Sequence, residues 1–291
     1  MSTLISIDWD FFVRHGMYED VYLPAAKDTM PGMLVYDWQM SETRSPAMEE
    51  ILWHARAASF KHWGLDIQAL MKPELAVGDF ATEISIRMGG EPLPAWYGDS
   101  HGWAGIIARD FSQRIGPLDV LNFDAHHDLG YDEAALTNFK KSGSISCDNW
   151  ALIGLHEGWI ENYTIVYPDW LMRKEWPGFR RKSLRDFKDR ITVTTWSKWL
   201  KDCDEIDDVQ TGYFCRSSSW TPPWLDAGFQ ELREEFGYSD CIDCALGQAG
   251  SPFDSCKLRE WDWDAVEKEI QMRKERRAAL MEFKKSLEIE A

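Results

Sequence analysis

Residues 118–128, LDVLNFDAHHD, run from an apolar stretch into an alternation of Asp124, His126 and Asp128. The apolar part is typical of a buried strand in a parallel sheet. Side chains two positions apart on an extended chain point to the same side, so the three polar side chains would converge where the strand ends. Carboxylates and imidazoles gathered in one place indicate a metal site.

Residues 4–12, LISIDWDFF, repeat this arrangement at the start of the chain. They predict a central strand ending in Asp8 and Asp10, and two such strands side by side offer five metal ligands. A sixth is His101, in the glycine-flanked turn YGDSHGW at residues 97–103. The carboxylates carry a charge of about −4, which two divalent cations would neutralise. Oxygen and imidazole donors favour manganese or magnesium, with zinc, iron and nickel left open.

Further strands are predicted at residues 164–167, 191–195 and 212–216. The long segments between them suit crossover connections, which predicts an α/β fold with a mostly parallel central sheet. One helix is expected from Pro46 to about Trp63, and another at about 262–288. At 291 residues the chain is long enough for one continuous catalytic domain, residues 1–291.

The chain carries 49 acidic and 32 basic residues, a formal net charge of −17. This charge repels phosphate backbones, so no nucleic-acid partner is expected. It would attract cationic ligands such as guanidinium groups, although an acidic surface also serves solubility. No apolar run has the roughly 18 to 20 residues that a membrane span needs, and residues 1–8 lack the features of a signal peptide. A cytoplasmic location without membrane association is expected.

Six cysteines without a secretory context are expected to be thiols. Cys241, Cys244 and Cys256 could supply three ligands of a structural zinc site, but a fourth ligand is not evident. Sixteen tryptophans are many for this length, and most are expected in the core. Trp220 follows a predicted strand, and loops after parallel strands line active sites, so it is a candidate for shaping the substrate pocket.

These motifs resemble those of the ureohydrolase superfamily, which includes arginase, agmatinase and formiminoglutamase. The family's metal motifs are a Gly-Asp-His turn, an Asp-Ala-His-x-Asp strand end and an Asp-x-Asp strand end. Residues 124–128, DAHHD, match the second in full. Residues 98–101, GDSH, match the first with Ser100 inserted, and residues 8–10, DWD, match the third. The resemblance implies a three-layer arginase/deacetylase-like fold, two divalent metal ions, expected to be Mn²⁺, and hydrolysis of a linear amidine.

The resemblance also assigns the ligands to the two ions: Asp124 and Asp8 would bridge them, His101 and Asp128 would complete one, and His126 and Asp10 the other. In the classical enzymes the Asp-x-Asp strand comes late in the chain, so its place at the start is typical of a permuted or divergent relative. The family's amino-acid-binding loop is not recognisable at residues 129–141. The chain therefore looks more like the peptide arginases, which convert arginine side chains of ribosomally made peptides into ornithine.

Two histidines are candidates for delivering a proton to the leaving nitrogen, His127 and His156. Recognition of a guanidinium group needs oxygen acceptors opposite its planar donors. The candidate substrate-binding residues are Asp148, Asn149, Glu157, Trp220 and Asp226. The expected partner is a guanidino-containing small molecule or an arginine-containing peptide, and superfamily members often form homo-oligomers.

Two alternatives stay open. Histone deacetylases share the fold and an Asp-x-His element like that of Asp124 and His126, so a one-zinc amidohydrolase acting on an acetylated amine is the first. The second is a noncatalytic binding protein in which the acidic cluster holds a structural ion. Metal-dependent turnover would separate these readings.

Overall fold

The computed structural model describes residues 2–15, 46–62, 64–171, 181–237, 239–242 and 258–289. By their internal contacts the residues form two compact units. The first comprises Met1–Arg14 and Lys72–Leu258, and the second comprises His15–Met71 and Arg259–Ala291. Whether the whole chain acts as one domain stays a prediction.

A parallel sheet is the framework of the first unit. The described strands are β1 (Thr3–Asp8), β2 (Val13–His15), β3 (Met71–Pro73), β4 (Ala95–Gly98), β5 (Leu118–Phe123), β6 (Ile160–Tyr167), β7 (Ile191–Thr195), β8 (Val209–Cys215) and β9 (Ser239–Cys241). Seven of them form one sheet in the order β7-β6-β5-β1-β8-β4-β9, with every neighbouring pair parallel. After β5 the chain continues to β6 and β7 on one side of β1, and after β8 it continues to β9 on the other side. The direction of winding thus reverses at β1, where open α/β sheets bind ligands.

Helices flank this sheet, which confirms the predicted α/β class. The described helices are α1 (Pro46–His62), α2 (Ile67–Leu70), α3 (Val77–Arg87), α4 (Gly102–Ile115), α5 (Ala134–Ser142), α6 (Trp150–Glu157), α7 (Lys182–Arg185), α8 (Trp196–Asp202), α9 (Asp226–Glu235) and α10 (Trp263–Ile289). Short 3-10 turns form at Trp9–Phe11, Lys188–Arg190 and Pro223–Leu225. Within the described ranges, no helix combines the length and the apolar character that crossing a bilayer demands.

The core divides between the two faces of the sheet, because successive side chains of a strand point to opposite sides. On one face Leu4 and Val120 pack in a cluster with Trp150 of α6. On the other face Phe123 makes edge contacts with Phe80 of α3 and with tryptophans of α8. The tryptophans of α8, Trp196 and Trp199, are buried as expected.

All five predicted strands are present, and two of them have the predicted bounds. β5 and β7 have the predicted bounds, whereas β6 and β8 start earlier, at Ile160 and Val209. β1 ends at Asp8, not at residue 12, because the Asp8 side chain accepts a hydrogen bond from the Asp10 amide and begins a 3-10 turn. The short strands β4 and β9 were not predicted, since three or four residues show no periodicity.

In the second unit α1 packs against α10. Arg259 forms an ion pair with the buried carboxylate of Glu49. His54 stacks on Trp261, with 4.6 Å between ring centroids. Both predicted helices of this unit are present, and each lies within one residue of its expected bounds.

Candidate metal centre

All six predicted metal ligands lie at the carboxyl edge of the sheet. Asp8 ends β1 and Asp10 follows it, residues 124–128 follow β5, and His101 stands at the N-terminus of α4, shortly after β4. Parallel pairing aligns these strand ends, with Ile7 opposite Phe123. Ligands from distant parts of the sequence therefore meet at the centre of the sheet.

His101 is surrounded by carboxylates. Its Nδ1 lies 3.2 Å from Asp8 Oδ2, 3.0 Å from Asp124 Oδ2 and 2.8 Å from Asp128 Oδ2. All four side chains are buried. We call Asp8, His101, Asp124 and Asp128 the deep group.

His126 has a second set of carboxylates beside it. Its Nδ1 lies 2.8 Å from Asp10 Oδ2 and 3.6 Å from Asp124 Oδ1. The His126 side chain is 21% exposed, whereas Asp10 and Asp124 are fully buried. We call Asp10, Asp124 and His126 the outer group, and Asp124 belongs to both groups.

These donors fit divalent metal ions. Asp8, His101 and Asp124 could hold one ion, and Asp10, Asp124 and His126 another, because the ligand atoms of each set lie within 4.8 Å of one another. Asp10 Oδ2 is buried and accepts no hydrogen bond, although His126 Nδ1 lies 2.8 Å away. A buried carboxylate oxygen without a donor is costly, and a cation would satisfy it.

The ligands after β5 lie on a turn, not on a continued strand. β5 ends at Phe123, and Asp128 has a φ of 51°, in the left-handed region. The His126 amide donates to Asp124 Oδ1 at 2.7 Å, and the Ala125 amide donates to Asp10 Oδ1 at 3.2 Å. The side chains of Asp124, His126 and Asp128 converge as predicted. The predicted cause, alternation along an extended strand, is wrong, because hydrogen bonds within a turn bring them together.

Four further side chains hold the ligands in place, and the motif search missed them. Ser6 Oγ is 2.7 Å from His101 Nε2, and Ser217 Oγ donates to Asp8 Oδ2 at 2.5 Å. Asn122 Nδ2 donates to Asp124 Oδ2 at 3.2 Å, and Trp150 Nε1 donates to Asp128 Oδ2 at 2.6 Å. Ser6 and Asn122 had a signal in the sequence, since each is a polar residue in an apolar strand, two positions before a ligand.

A buried ion network fixes the loops on the β8 side of the centre. Arg216 donates to both carboxylate oxygens of Asp99 at 2.6 Å, and its Nη1 lies 3.4 Å from Asp226 Oδ2. Asp99 precedes His101 by two residues, and Arg216 precedes Ser217, so the network ties together the loops that carry these two side chains. Asp226, a predicted guanidinium ligand, is 1% exposed and engaged in this network.

Burial and mutual repulsion shift the pKa values of the carboxylates in the centre. Burial, reinforced by Asp8 and Asp124, raises the pKa of Asp10 well above its usual range. Burial and the neighbouring Asp124 raise the pKa of Asp128 to about 7. Burial would also raise the pKa of Asp124, but hydrogen bonds and charge from His101 and His126 outweigh it and lower that pKa.

The pKa values of the two histidines are also raised, but by the neighbouring carboxylates and not by burial. Burial would lower the pKa of His101, but the carboxylates of Asp128, Asp124 and Asp8 outweigh it and raise that pKa well above its ordinary value. Burial would likewise lower the pKa of His126, but the carboxylates of Asp10 and Asp124 outweigh it and raise that pKa well above its ordinary value. The metal-free centre therefore holds protons that bound cations would displace.

Other predicted site residues lie near the centre. The Trp220 ring centroid is 5.2 Å from that of His126. Asp148 and Asn149 directly precede Trp150, which binds Asp128, and Asn149 Oδ1 accepts a hydrogen bond from the Ser146 amide. The structure thus places Trp220 beside the cluster, and Asp148 and Asn149 in the segment that leads to Trp150.

His127 is turned onto its own loop. Its Nδ1 accepts a hydrogen bond from the Leu129 amide at 3.0 Å, and its ring lies 4.6 Å from that of Tyr131. Burial, together with the charges of Arg181 and His126, lowers the pKa of His127 to about 4.

His156 and Glu157 do not join the centre. They end α6, just before the Trp159 carbonyl accepts a hydrogen bond from the Leu118 amide at the start of β5. They therefore lie at the opposite edge of the sheet, where His156 Nδ1 is 2.9 Å from Glu157 Oε1. These two residues are not part of the site as predicted, because α6 carries the chain from the carboxyl edge to the opposite edge of the sheet.

The predicted zinc site stays untested. Cys241 ends β9, whereas Cys244 and Cys256 lie outside the described residues. Cys147, Cys203 and Cys215 carry thiols, as expected.

Comparison of the chain with protein-family models, with curated proteins and with solved structures finds no match. The resemblance of the motifs to ureohydrolases therefore stays an expectation. What the molecule offers directly is a buried set of carboxylates and imidazoles, arranged as two adjoining groups that share Asp124.

Proposed function

We propose that this chain is a hydrolase with two divalent metal ions that cleaves a guanidino group into urea and an amine, converting peptidyl arginine into ornithine. The observation that supports this best is the sharing of Asp124 between two groups of ligands. A carboxylate with one oxygen toward each group suits a pair of ions, and paired ions are a recurrent device of hydrolases.

Manganese is the proposed metal for both groups. The donors are carboxylate oxygens and imidazole nitrogens, which suit hard and borderline cations. Bound ions of this kind supply Lewis-acid activation of water and of the bond to be cleaved. Asp8 and Asp128 complete the deep group around His101, and Asp10 completes the outer group beside His126.

The substrate would approach from the side of His126. Among the six ligands His126 is the most exposed, so solvent reaches the centre there. Trp220 lies beside it, and Tyr131, half exposed, lies along the same loop. Aromatic faces bind planar cations such as guanidinium, and the net charge of −17 favours a cationic substrate.

Asp148 is the proposed guanidinium partner. Of the predicted carboxylates, Asp226 is engaged by Arg216 and Glu157 lies at the opposite edge of the sheet. Asp148 is exposed beside the start of α6, where its side chain accepts a hydrogen bond from Ser146 Oγ at 2.5 Å. For His127 we propose a positioning role, because its Nδ1 is bound to its own loop.

The test is release of urea and ornithine by manganese-loaded protein. Free arginine, agmatine and an arginine-containing peptide would be assayed in parallel. Asp124→Asn should abolish turnover, whereas Asp119→Asn, the same change at the other end of β5, should preserve it. Release from the peptide alone supports the peptide-arginase reading, and release from the small molecules supports a classical ureohydrolase.

Failure to release urea from any substrate would refute guanidine hydrolysis. Acetylated amines would then be assayed with the same variants, since deacetylase chemistry is the nearest alternative. Tight metal binding without turnover of either class would leave a noncatalytic, metal-stabilised protein.

A further inference from the structure

We infer that Arg181 is a specificity-determining residue, which binds a main-chain oxygen of the substrate, a peptide carbonyl or a carboxylate, while the guanidino group lies at the metal centre. The inference rests on the proposed function for the class of substrate. Binding of the reaction products tests it without any turnover.

Arg181 lies against the loop that follows the metal ligands of β5. Its Nη1 donates to the Asp132 carbonyl and its Nη2 to the Leu129 carbonyl, each at 3.3 Å. Leu129 directly follows the ligand Asp128. Burial and then the charge of Arg181 lower the pKa of His127, so this charge reaches the same loop. The guanidinium of Arg181 therefore lies at the carboxyl edge of the sheet, one loop away from the ligands.

The guanidinium of Arg181 has donors left for a ligand. It has five N–H donors, and its two contacts are longer than an ordinary hydrogen bond of about 2.9 Å. The acids whose charges act on it, Glu133 and Asp132, are engaged elsewhere. Glu133 accepts hydrogen bonds from the first two amides of α7, and Asp132 accepts them from the first two amides of α5. Among the described residues no carboxylate forms an ion pair with Arg181.

Arg190 shows how a fully engaged arginine is held in this fold. It also donates to two main-chain carbonyls, those of Ile160 and Glu161, but at the amino edge of the sheet. Its Nη2 lies 3.5 Å from the Glu161 carboxylate, and its Cζ lies 5.6 Å from the centroid of the Phe187 ring. Within the described part of the chain Arg181 has neither an acid nor a ring of this kind, so a ligand can supply the further acceptor.

The charges around the site favour one orientation of a peptidyl arginine. The carboxylates of the centre and exposed Asp148 attract the cationic guanidino group, whereas Arg181 repels it. The main-chain oxygens at the other end of the substrate are acceptors that Arg181 can bind. Tyr131 interacts electrostatically with both His126 and Arg181, which connects the exposed metal ligand with this guanidinium. A substrate without a main-chain oxygen, such as agmatine, would gain nothing from Arg181.

The experiment measures binding of the products to manganese-loaded protein by isothermal titration calorimetry. Ornithine carries a carboxylate, a blocked ornithine peptide carries carbonyls alone, and putrescine carries neither. Arg181→Gln should weaken binding of ornithine, of the peptide or of both by about tenfold to a hundredfold, as expected for a lost hydrogen bond to a charged group. Binding of putrescine should be unchanged. The ligand that loses affinity identifies the oxygen that is bound.

A matched control and a second variant keep the test decisive. Arg190→Gln removes a guanidinium from two carbonyls at the opposite edge, and it should leave all three dissociation constants unchanged. Arg181→Lys keeps the charge but cannot span both loop carbonyls, so it should show a smaller loss of the same selectivity if Arg181→Gln does not fold. In a protein that releases urea, Arg181→Gln should raise the KM for the peptide and leave kcat and KM for agmatine unchanged.

Equal losses for all three products in folded Arg181→Gln would show that Arg181 only holds the loop, and this would overturn the inference. Unchanged affinities in both Arg181 variants would overturn it as well. The expected selectivity without urea release would overturn the proposed function alone. Absence of both product binding and urea release would overturn both.

Discussion

The two edges of the parallel sheet carry the same kinds of residue in opposite environments. At the carboxyl edge Asp124 is buried between His101 and His126. At the amino edge Asp119, on the same strand, accepts a hydrogen bond from Asn162 at 2.8 Å in an exposed position, and His156 pairs with Glu157 in solvent.

This difference shows that residue type alone does not make a metal centre. At the amino edge each carboxylate is satisfied by one partner or by water, so adding a cation would gain little. At the carboxyl edge several carboxylates share one dehydrated volume, so their charge has to be balanced by protons or by metal.

Removal of metal should produce the largest effect. Ligands that bind only the folded state stabilise it by about 4.1 kcal/mol at 1,000 times their Kd. Chelation should therefore lower the free energy of unfolding by about this amount in manganese-saturated protein. Urea unfolding followed by circular dichroism, with and without EDTA, would measure it. An unchanged midpoint would contradict the metal centre, and His156→Ala should show the same loss on chelation as the wild type.

Trp150→Phe should have the next largest effect. The change keeps an aromatic ring in the core but removes the Nε1 donor to Asp128 Oδ2, leaving a buried carboxylate short of one hydrogen bond. We expect a loss of about 1–3 kcal/mol in unfolding free energy in metal-free protein. Trp159→Phe, the same substitution near the amino edge, is the matched control. Equal losses in the two variants would show that ring packing, not the hydrogen bond, matters.

The pH dependence of the metal-free protein should be smaller but distinctive. The raised pKa values of Asp128, Asp10, His101 and His126 mean that the folded state retains protons that the unfolded state releases. Stability should therefore fall as the pH rises from about 4, the ordinary carboxyl pKa, through 7 and above. Manganese should abolish this fall because it replaces the protons.

Thermal unfolding midpoints between pH 5 and pH 8, with EDTA or with Mn²⁺, would check this dependence. Two lowered pKa values act in the opposite direction. His127 contributes stability that increases as the pH rises from about 4 to its ordinary pKa of 6.5, which offsets part of the fall. Asp124 contributes stability that is lost only below the ordinary carboxyl range. A metal-free protein that becomes more stable from pH 5 to pH 8 would contradict the assignment.

Substitutions at the amino edge should have the smallest effect. His156→Ala and Glu157→Gln disrupt an exposed pair, so the unfolding free energy should change by no more than about 0.5 kcal/mol. Manganese stoichiometry, measured by elemental analysis, should be unchanged in both variants. Loss of metal in either would remove the distinction between the two edges.

Two strands were predictable in full because their composition leaves a direct trace in the sequence. β5 is mostly apolar and buried, and the edge strand β7 consists of β-branched residues; the bounds of both agree with the prediction. β4 and β9 are too short to show a period, and their place in the sheet comes from pairing with β8 and with each other. Local pattern could not reveal such non-local pairing.

The metal ligands were predictable from their spacing, while most of their supporting partners were not. Asp8, Asp10, Asp124, His126 and Asp128 fall at strand ends, where the sequence shows an abrupt change from apolar to charged residues. Trp150 and Ser217 lie in segments that carry no such signal. They reach the centre because the first residue of α6 lies next to Asp128 and the loop after β8 passes next to Asp8.

Hydrophobic patterning and residue chemistry are local properties, so they are enough to indicate that two apolar strands end in acidic and histidine residues. Strand order and burial depend on contacts between residues far apart in the chain. The three-dimensional fold was therefore needed to place β1 between β5 and β8, to bring His101 to the shared carboxylate of Asp124, and to keep His156 away from it. Those contacts turn an ordinary carboxylate into one that needs a cation.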